Sequence, residues 1–178
     1  STLPPSVQTV LDIGGNVGLF GIAARSAFPR ALIHVYEPNP ELEQFLTVQS
    51  ISGRFEFFMA AIGSEPGMVS LDFHGDSVQT RSRPDEHGTV PRVAFKEAVN
   101  RIGGFVDLVK MDCEGAEWDI LQDTATWSKV SHVSLEYHLW PNHSEADIIC
   151  ATLGRTVVIV PCAFHCGPAG ETAGAAAV

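Results

Sequence analysis

The chain has 178 residues, 45% of them apolar, and a formal net charge of −10. That is enough apolar material for one domain with its own core, and no apolar run approaches the roughly 20 residues that span a bilayer. Only 11 Lys and Arg are present, with a small knot at Arg81, Arg83 and Arg92, so no basic stripe offers itself to nucleic acid. The expected partner is a small-molecule or glycan acceptor, with no nucleic acid and no membrane, and the oligomeric state is left open. Ser1 to Val7 lack the basic-then-apolar layout of a signal peptide, so a cytoplasmic location is expected.

Strand-like and helix-like stretches alternate, which predicts an α/β fold: a mostly parallel, doubly wound sheet with helices on both faces. Thr9–Ile13 is the first predicted strand and Val17–Phe28 the first helix, ended by Pro29. Leu32–Tyr36 is the second strand, and a helix over Pro40–Ser50 follows the Glu-Pro-Asn-Pro turn. Phe55–Met59 and Met68–Phe73 are the next strands, the latter after the turn signal Glu65-Pro66-Gly67. His74–Thr89 is polar and without apolar periodicity, which predicts a loop, either a lid or plain surface.

A short helix over Phe95–Ile102 leads to a strand at Val106–Met111. Glu117–Leu121 is helical and extends further, Val133–Tyr137 is a strand, Ser144–Leu153 a helix closed by Gly154, and Thr156–Val160 the last strand. Residues 1–165 are therefore expected to form one domain and residues 166–178 a disordered tail. Cys113, Cys150, Cys162 and Cys166 are expected as buried thiols rather than disulfides. Cys162-Ala163-Phe164-His165-Cys166 lacks the second ligand pair of a zinc site, so no metal site is expected.

Two segments carry the chemistry. The first runs Val10-Leu11-Asp12-Ile13-Gly14-Gly15-Asn16-Val17-Gly18, with Glu37 ending the next strand. The dinucleotide pattern of Gly at i, i+2 and i+5 fails from either Gly14 or Gly15 and leaves Asp-x-Gly-x-x-x-Gly. A carboxylate at the strand end would repel pyrophosphate but suits the ammonium of S-adenosylmethionine. Asp12 is thus the candidate for the ammonium, Gly14, Gly15, Asn16 and Gly18 for close backbone approach, and Glu37 for the ribose hydroxyls. Ala61, in the turn Ala60-Ala61-Ile62-Gly63, is the expected neighbour of the adenine. The bland alternative makes Asp12 and Asn16 helix caps and Glu37 a solvated acid.

The second segment is Val106-Asp107-Leu108-Val109-Lys110-Met111-Asp112-Cys113-Glu114-Gly115-Ala116-Glu117. Charges at the end of an apolar strand are costly unless paired or turned toward a cleft. Lys110 and Asp112, two apart, share one face of the strand, and Asp112 and Glu114 fall beyond its carboxyl end, where open α/β sheets bind ligands. Glu136 and His138 reach the same rim if their strand lies alongside. Glu117 is read as a helix N-terminal acid.

Together with Tyr-Glu-Pro-Asn-Pro and Leu-Glu-Tyr-His, in this order, these segments resemble the FkbM family of S-adenosylmethionine-dependent methyltransferases, over about Val10 to Val160. The resemblance implies a Rossmann-like class I methyltransferase fold, cofactor binding by Asp12, Gly14, Asn16, Gly18 and Glu37, and O-methylation of sugar or natural-product hydroxyls. This chain departs from the family in having Gly15 where Ala is usual, and in lacking Leu-Asp at the start of the helix near Phe95.

Methyl transfer to oxygen needs a base for the hydroxyl proton. Asp112 or His138 is the candidate, with Lys110 and Glu136 fixing orientation and charge, and Asp112 alternatively facing the cationic end of the cofactor. Mg²⁺ held by Asp112, Glu114, Glu136 and His138 is compatible with the sequence but not required by it. The competing readings are a non-catalytic S-adenosylmethionine-binding module acting through a partner, and, more remotely, a nicotinamide-dependent oxidoreductase.

Overall fold

The computed structural model describes residues 6–73, 80–113, 116–136 and 156–159. The expected helix at Ser144–Leu153, Cys150, Cys162, Cys166 and the expected tail lie outside the described residues.

β1 (Thr9–Ile13), β2 (Leu32–Tyr36) and β3 (Glu56–Phe58) are joined by α1 (Leu19–Ala27) and by a 3₁₀ turn (Pro40–Leu42) running into α2 (Glu43–Gly53). β4 (Ala61–Gly63), β5 (Gly67–Phe73), β6 (Thr80–Pro84) and β7 (Val90–Ala94) follow. Then come α3 (Phe95–Arg101), β8 (Val106–Met111), α4 (Glu117–Leu121), α5 (Thr124–Trp127), β9 (Val130–Leu135) and β10 (Thr156–Ile159).

Six strands form one sheet in the order β10-β9-β8-β1-β2-β3, and every pairing in it is parallel. Alternation along each strand sends neighbours into different apolar clusters. Val10, Ile33, Val35 and Leu108 pack with Ala24 of α1 and Leu46 of α2. Leu11, Ile13, Val109 and Met111 pack with Phe95 and Val99 of α3, Ile120 of α4 and Trp127 of α5. Each buried Val, Leu, Ile, Met or Phe among them contributes roughly 1.5–3 kcal/mol. The result is a mixed α/β fold with a parallel sheet flanked by helices, a Rossmann-like arrangement.

β4, β7, β5 and β6 form a second, four-stranded sheet in that order; β4 and β7 are parallel, while β5 is antiparallel to both β7 and β6. This corrects the expectation of an unstructured His74–Thr89 segment, because Thr80–Pro84 is a strand. Arg81 and Arg83 hid it: the strand is held by backbone pairing to β5 rather than by an apolar stripe. β4 and β7 were also unexpected: β4 is only three residues long and starts at Ala61, which the sequence placed in a turn, and β7 carries Pro91, which reads as a strand breaker. β9 begins three residues earlier than predicted and ends at Leu135, since Val130 and Val133, spaced by Ser131 and His132, both reach the core. Nor does α4 continue past Leu121: Asp123 caps α5, its side chain accepting from Thr126 N–H at 3.0 Å.

The register positions the site. Ile13 lies beside Tyr36 and Met111, and Met111 beside Leu135. Residues 14, 37, 112 and 136 therefore leave the sheet along one rim, at the carboxyl ends of four adjacent strands.

Candidate functional site

Gly14 leaves β1 at φ +78, where a side chain is strained, and a Cβ there would lie 1.7 Å from the carbonyl oxygen of Asp112. The turns after β1 and β8 thus touch through backbone, as the 3.0 Å bond from Asp112 N–H to Ile13 O also requires. Tyr36 O accepts from both Gly14 N–H (2.9 Å) and Gly15 N–H (3.0 Å), so the start of the turn is pinned to the end of β2. Asn16 adopts φ +50, a conformation Asn tolerates better than most side chains, and its N–H donates to Glu37 Oε2 at 2.7 Å.

Glu37 is 6% exposed, and its other oxygen accepts from Asn39 N–H at 2.9 Å. Asn39 is buried in turn and caps the 3₁₀ turn, Oδ1 accepting from Glu41 N–H at 3.0 Å. Burial raises the Glu37 pKa, opposed by those two N–H groups and by the charge of Lys110. A carboxylate has about four acceptor positions, so two remain for a ligand.

Under the glycine turn lies a charge cluster. Lys110 Nζ donates to Gly14 O and sits 3.3 Å from Asp12 Oδ1 and 3.7 Å from Asp112 Oδ2. Asp12 is fully buried, and Lys110 opposes the effect of that burial chiefly through its charge and less through hydrogen bonding. Burial pushes the Asp12 carboxyl up to about 6 in spite of that lysine. The two acids hold the Lys110 pKa above its ordinary value, against its burial.

Above this cluster opens a cleft of about 590 Å³, counting the space at its mouth. Asn16, Glu37, Asp112 and Ser82 give it polar walls; Tyr36, Pro38, Ala60, Ala61 and Ile62 give it apolar ones. Three carboxylates, those of Asp12, Glu37 and Asp112, face one ammonium, so the surroundings favour a cationic ligand with an apolar, planar part.

Of the residues singled out in the sequence, Gly14, Asn16, Glu37, Ala61 and Asp112 meet at this cleft. Asp12 and Lys110 pair beneath the turn. Gly15 lies against Val35, and Gly18, at the N-terminus of α1, lies against Phe55 and Leu46. Glu136 follows β9 with its N–H on Met111 O at 2.9 Å. Glu114 and His138 lie outside the described residues. Sequence reasoning missed Ser82, concealed in a polar strand, and Tyr36, read only as a strand residue. Glu117 opens α4, as expected of a helix N-terminal acid, but it is fully buried, and its Oε1 accepts from Cys113 N–H at 3.1 Å, fixing the turn after β8. Burial raises the Cys113 thiol well above its ordinary pKa of 9.0.

Among the described residues, no three His, Cys, Asp or Glu side chains gather as a metal site. No helix among them is long and apolar enough to cross a membrane.

The chain matches, over residues 12–155, a family model described as the methyltransferase FkbM domain. It is similar to Methyltransferase 1 of Beauveria bassiana (strain ARSEF 2860), 23% identical over 163 residues that cover 74% of this chain and 65% of the relative. Methyltransferase sdnD of Sordaria araneosa is 24% identical, covering 74% of this chain and 67% of its own length. The AMB antimetabolite synthetase AmbE of Pseudomonas aeruginosa is 27% identical over 76% of this chain but only 8% of that much longer protein. The chain thus spans about two thirds of the fungal relatives it matches. No solved structure matches it.

Proposed function

Because the chain belongs to the FkbM methyltransferase family, we propose that it transfers the methyl group of S-adenosylmethionine to a hydroxyl oxygen of a sugar, glycan or natural product. On this reading residues 1–165 are one class I methyltransferase domain with a doubly wound sheet. The observation that carries the cofactor assignment is Glu37: a buried carboxylate at the end of β2, anchored by the N–H groups of Asn16 and Asn39, with acceptor capacity left toward the cleft.

The donor set fits the cofactor. Glu37 accepts from the ribose hydroxyls, Ala60, Ala61 and Ile62 flank the adenine, and Gly14, where a Cβ would strike the carbonyl of Asp112, lets the turns after β1 and β8 close together at the cleft wall. The excess of carboxylate charge from Asp12, Glu37 and Asp112 over Lys110 favours a ligand bearing ammonium and sulfonium. When bound, S-adenosylmethionine supplies an electrophilic methyl carbon.

The remaining work falls to the chain. Asp112 or His138 takes the proton of the acceptor hydroxyl, and Glu114 is a further candidate acid for the reaction. Lys110 holds Asp112 and the Gly14 carbonyl in one arrangement, and so sets both the charge and the position of the turn. Glu136, at the end of the neighbouring strand, orients the base. The test is incubation with methyl-labelled S-adenosylmethionine and a panel of hydroxylated acceptors. Label on an acceptor oxygen is the expected result; label only on nitrogen or carbon overturns the O-methyl assignment.

A further inference from the structure

Arg101 sits at the end of α3, outside the cleft, and its residue as a whole is exposed. Its guanidinium nevertheless turns inward. Nη1 donates to the hydroxyl of Tyr36 at 2.9 Å, and Cζ lies 4.6 Å from the centre of the Phe58 ring. Tyr36 and Phe58 are register partners on β2 and β3, and their rings stack with centres 4.7 Å apart and planes 20° apart. A planar cation that donates in one direction and stacks in another suits such a site better than an ammonium would.

The backbones of these two aromatic residues hold the cleft together. Tyr36 O receives the N–H groups of Gly14 and Gly15, at 2.9 and 3.0 Å. Phe58 O receives those of Glu37 and Ala60, at 3.1 and 2.9 Å. Four hydrogen bonds that set the glycine turn, the ribose acid and the adenine wall therefore end on two carbonyls. The side chains of those same residues are clamped by Arg101.

We propose that Arg101 is a positioning residue for the cofactor cleft, acting through Tyr36 and Phe58. This rests on the reading of the cleft as the S-adenosylmethionine site. Loss of the guanidinium removes the hydrogen bond and the ring contact that fix this pair of aromatic side chains, Tyr36 itself being buried in the core, and the strand ends that carry the two carbonyls adjust with them. The cost falls on ligand binding more than on folding, because Arg101 itself is exposed and each strand keeps its ladder.

The test is calorimetric titration of S-adenosylhomocysteine into the wild-type chain, Arg101→Gln, Arg101→Lys, Tyr36→Phe and the Arg101→Gln/Tyr36→Phe double variant, with thermal midpoints recorded alongside. Arg101→Gln is expected to bind about tenfold more weakly, as for the loss of one charge-assisted hydrogen bond, while Arg101→Lys recovers part of the loss. In the Tyr36→Phe background the Arg101→Gln change is expected to cost less than about threefold, since coupled residues are not additive. A spectroscopic readout accompanies it. Burial raises the Tyr36 pKa and Arg101 opposes that rise, so Arg101→Gln moves the phenol titration upward, in a chain with only one other tyrosine, Tyr137.

Wild-type affinity in Arg101→Gln, or the full tenfold loss persisting in the Tyr36→Phe background, overturns the assignment while leaving the cofactor reading intact. Absence of binding by the wild-type chain itself overturns the cofactor reading and this inference with it. Should Arg101→Gln not fold, Arg101→Lys decides: affinity equal to wild type overturns the proposal, and weakened affinity at an unchanged thermal midpoint supports it.

Discussion

Asp12 gives the most quantitative test of the cluster beneath the glycine turn. Its carboxyl is fully buried, with Lys110 Nζ at 3.3 Å, yet burial outweighs the lysine and moves its pKa from 3.8 to about 6. The folded chain therefore holds this proton more tightly than the unfolded chain does. Linkage then makes the group's contribution to stability complete below the unfolded pKa of 3.8 and lost as pH rises through about 6. A separation of about two pH units corresponds to ~3 kcal/mol.

Asp12→Asn removes the titration and keeps the shape. Urea unfolding of both proteins between about pH 4 and pH 7.5 gives a stability difference in which every other titrating group largely cancels. Relative to the Asn variant, the wild type is expected to lose ~2.5 kcal/mol across that window and to level off above it. A difference that stays flat to within ~0.5 kcal/mol, about the spread between independent sites, would refute the claim that this carboxylate is buried against an insufficient counter-charge.

Other expectations follow from the same geometry. Glu37→Gln places an amide where two backbone N–H groups need acceptors, so S-adenosylmethionine affinity by calorimetry falls roughly 10- to 100-fold, the worth of one or two lost charge-assisted bonds; unchanged affinity would remove Glu37 from the site. Gly14→Ala drives a Cβ to within 1.7 Å of Asp112 O at positive φ, and the urea midpoint drops by the equivalent of ~3 kcal/mol or more. Wild-type stability there would mean the two turns do not touch. His138→Ala and Asp112→Asn separate the candidates for the base: the true base loses roughly 10²- to 10⁴-fold in turnover with cofactor affinity retained, and full turnover in either variant dismisses that residue.

The large sheet was legible because its signals are local. Thr9–Ile13, Leu32–Tyr36 and Val106–Met111 are apolar runs ended by a glycine or an acid, and their observed bounds match the predicted ones. Parallel order and register then carried Gly14, Asn16, Glu37 and Asp112 to one cleft, as the position of each beyond a strand end predicts, while Ala61 reaches it from the start of β4 in the second sheet. The second sheet was not legible. Thr80–Pro84 is held by backbone pairing to β5 and leaves no apolar signature, so Ser82 reached the cleft unannounced. Burial of charge was equally hidden: nothing in the spacing of Glu117 separates an exposed helix-end acid from a fully buried one that holds the Cys113 N–H. The pairing of Asp12 with Lys110 depends on β1 and β8 being neighbours, which no stretch of sequence states alone.

The most direct measurement is titration calorimetry of the folded chain with S-adenosylmethionine and S-adenosylhomocysteine, and with a reduced nicotinamide dinucleotide for comparison. Saturable binding of both sulfur nucleosides, abolished or severely weakened in Glu37→Gln, and no response to the dinucleotide, is the predicted outcome. A folded chain that takes up neither sulfur nucleoside would contradict the assignment of the cleft.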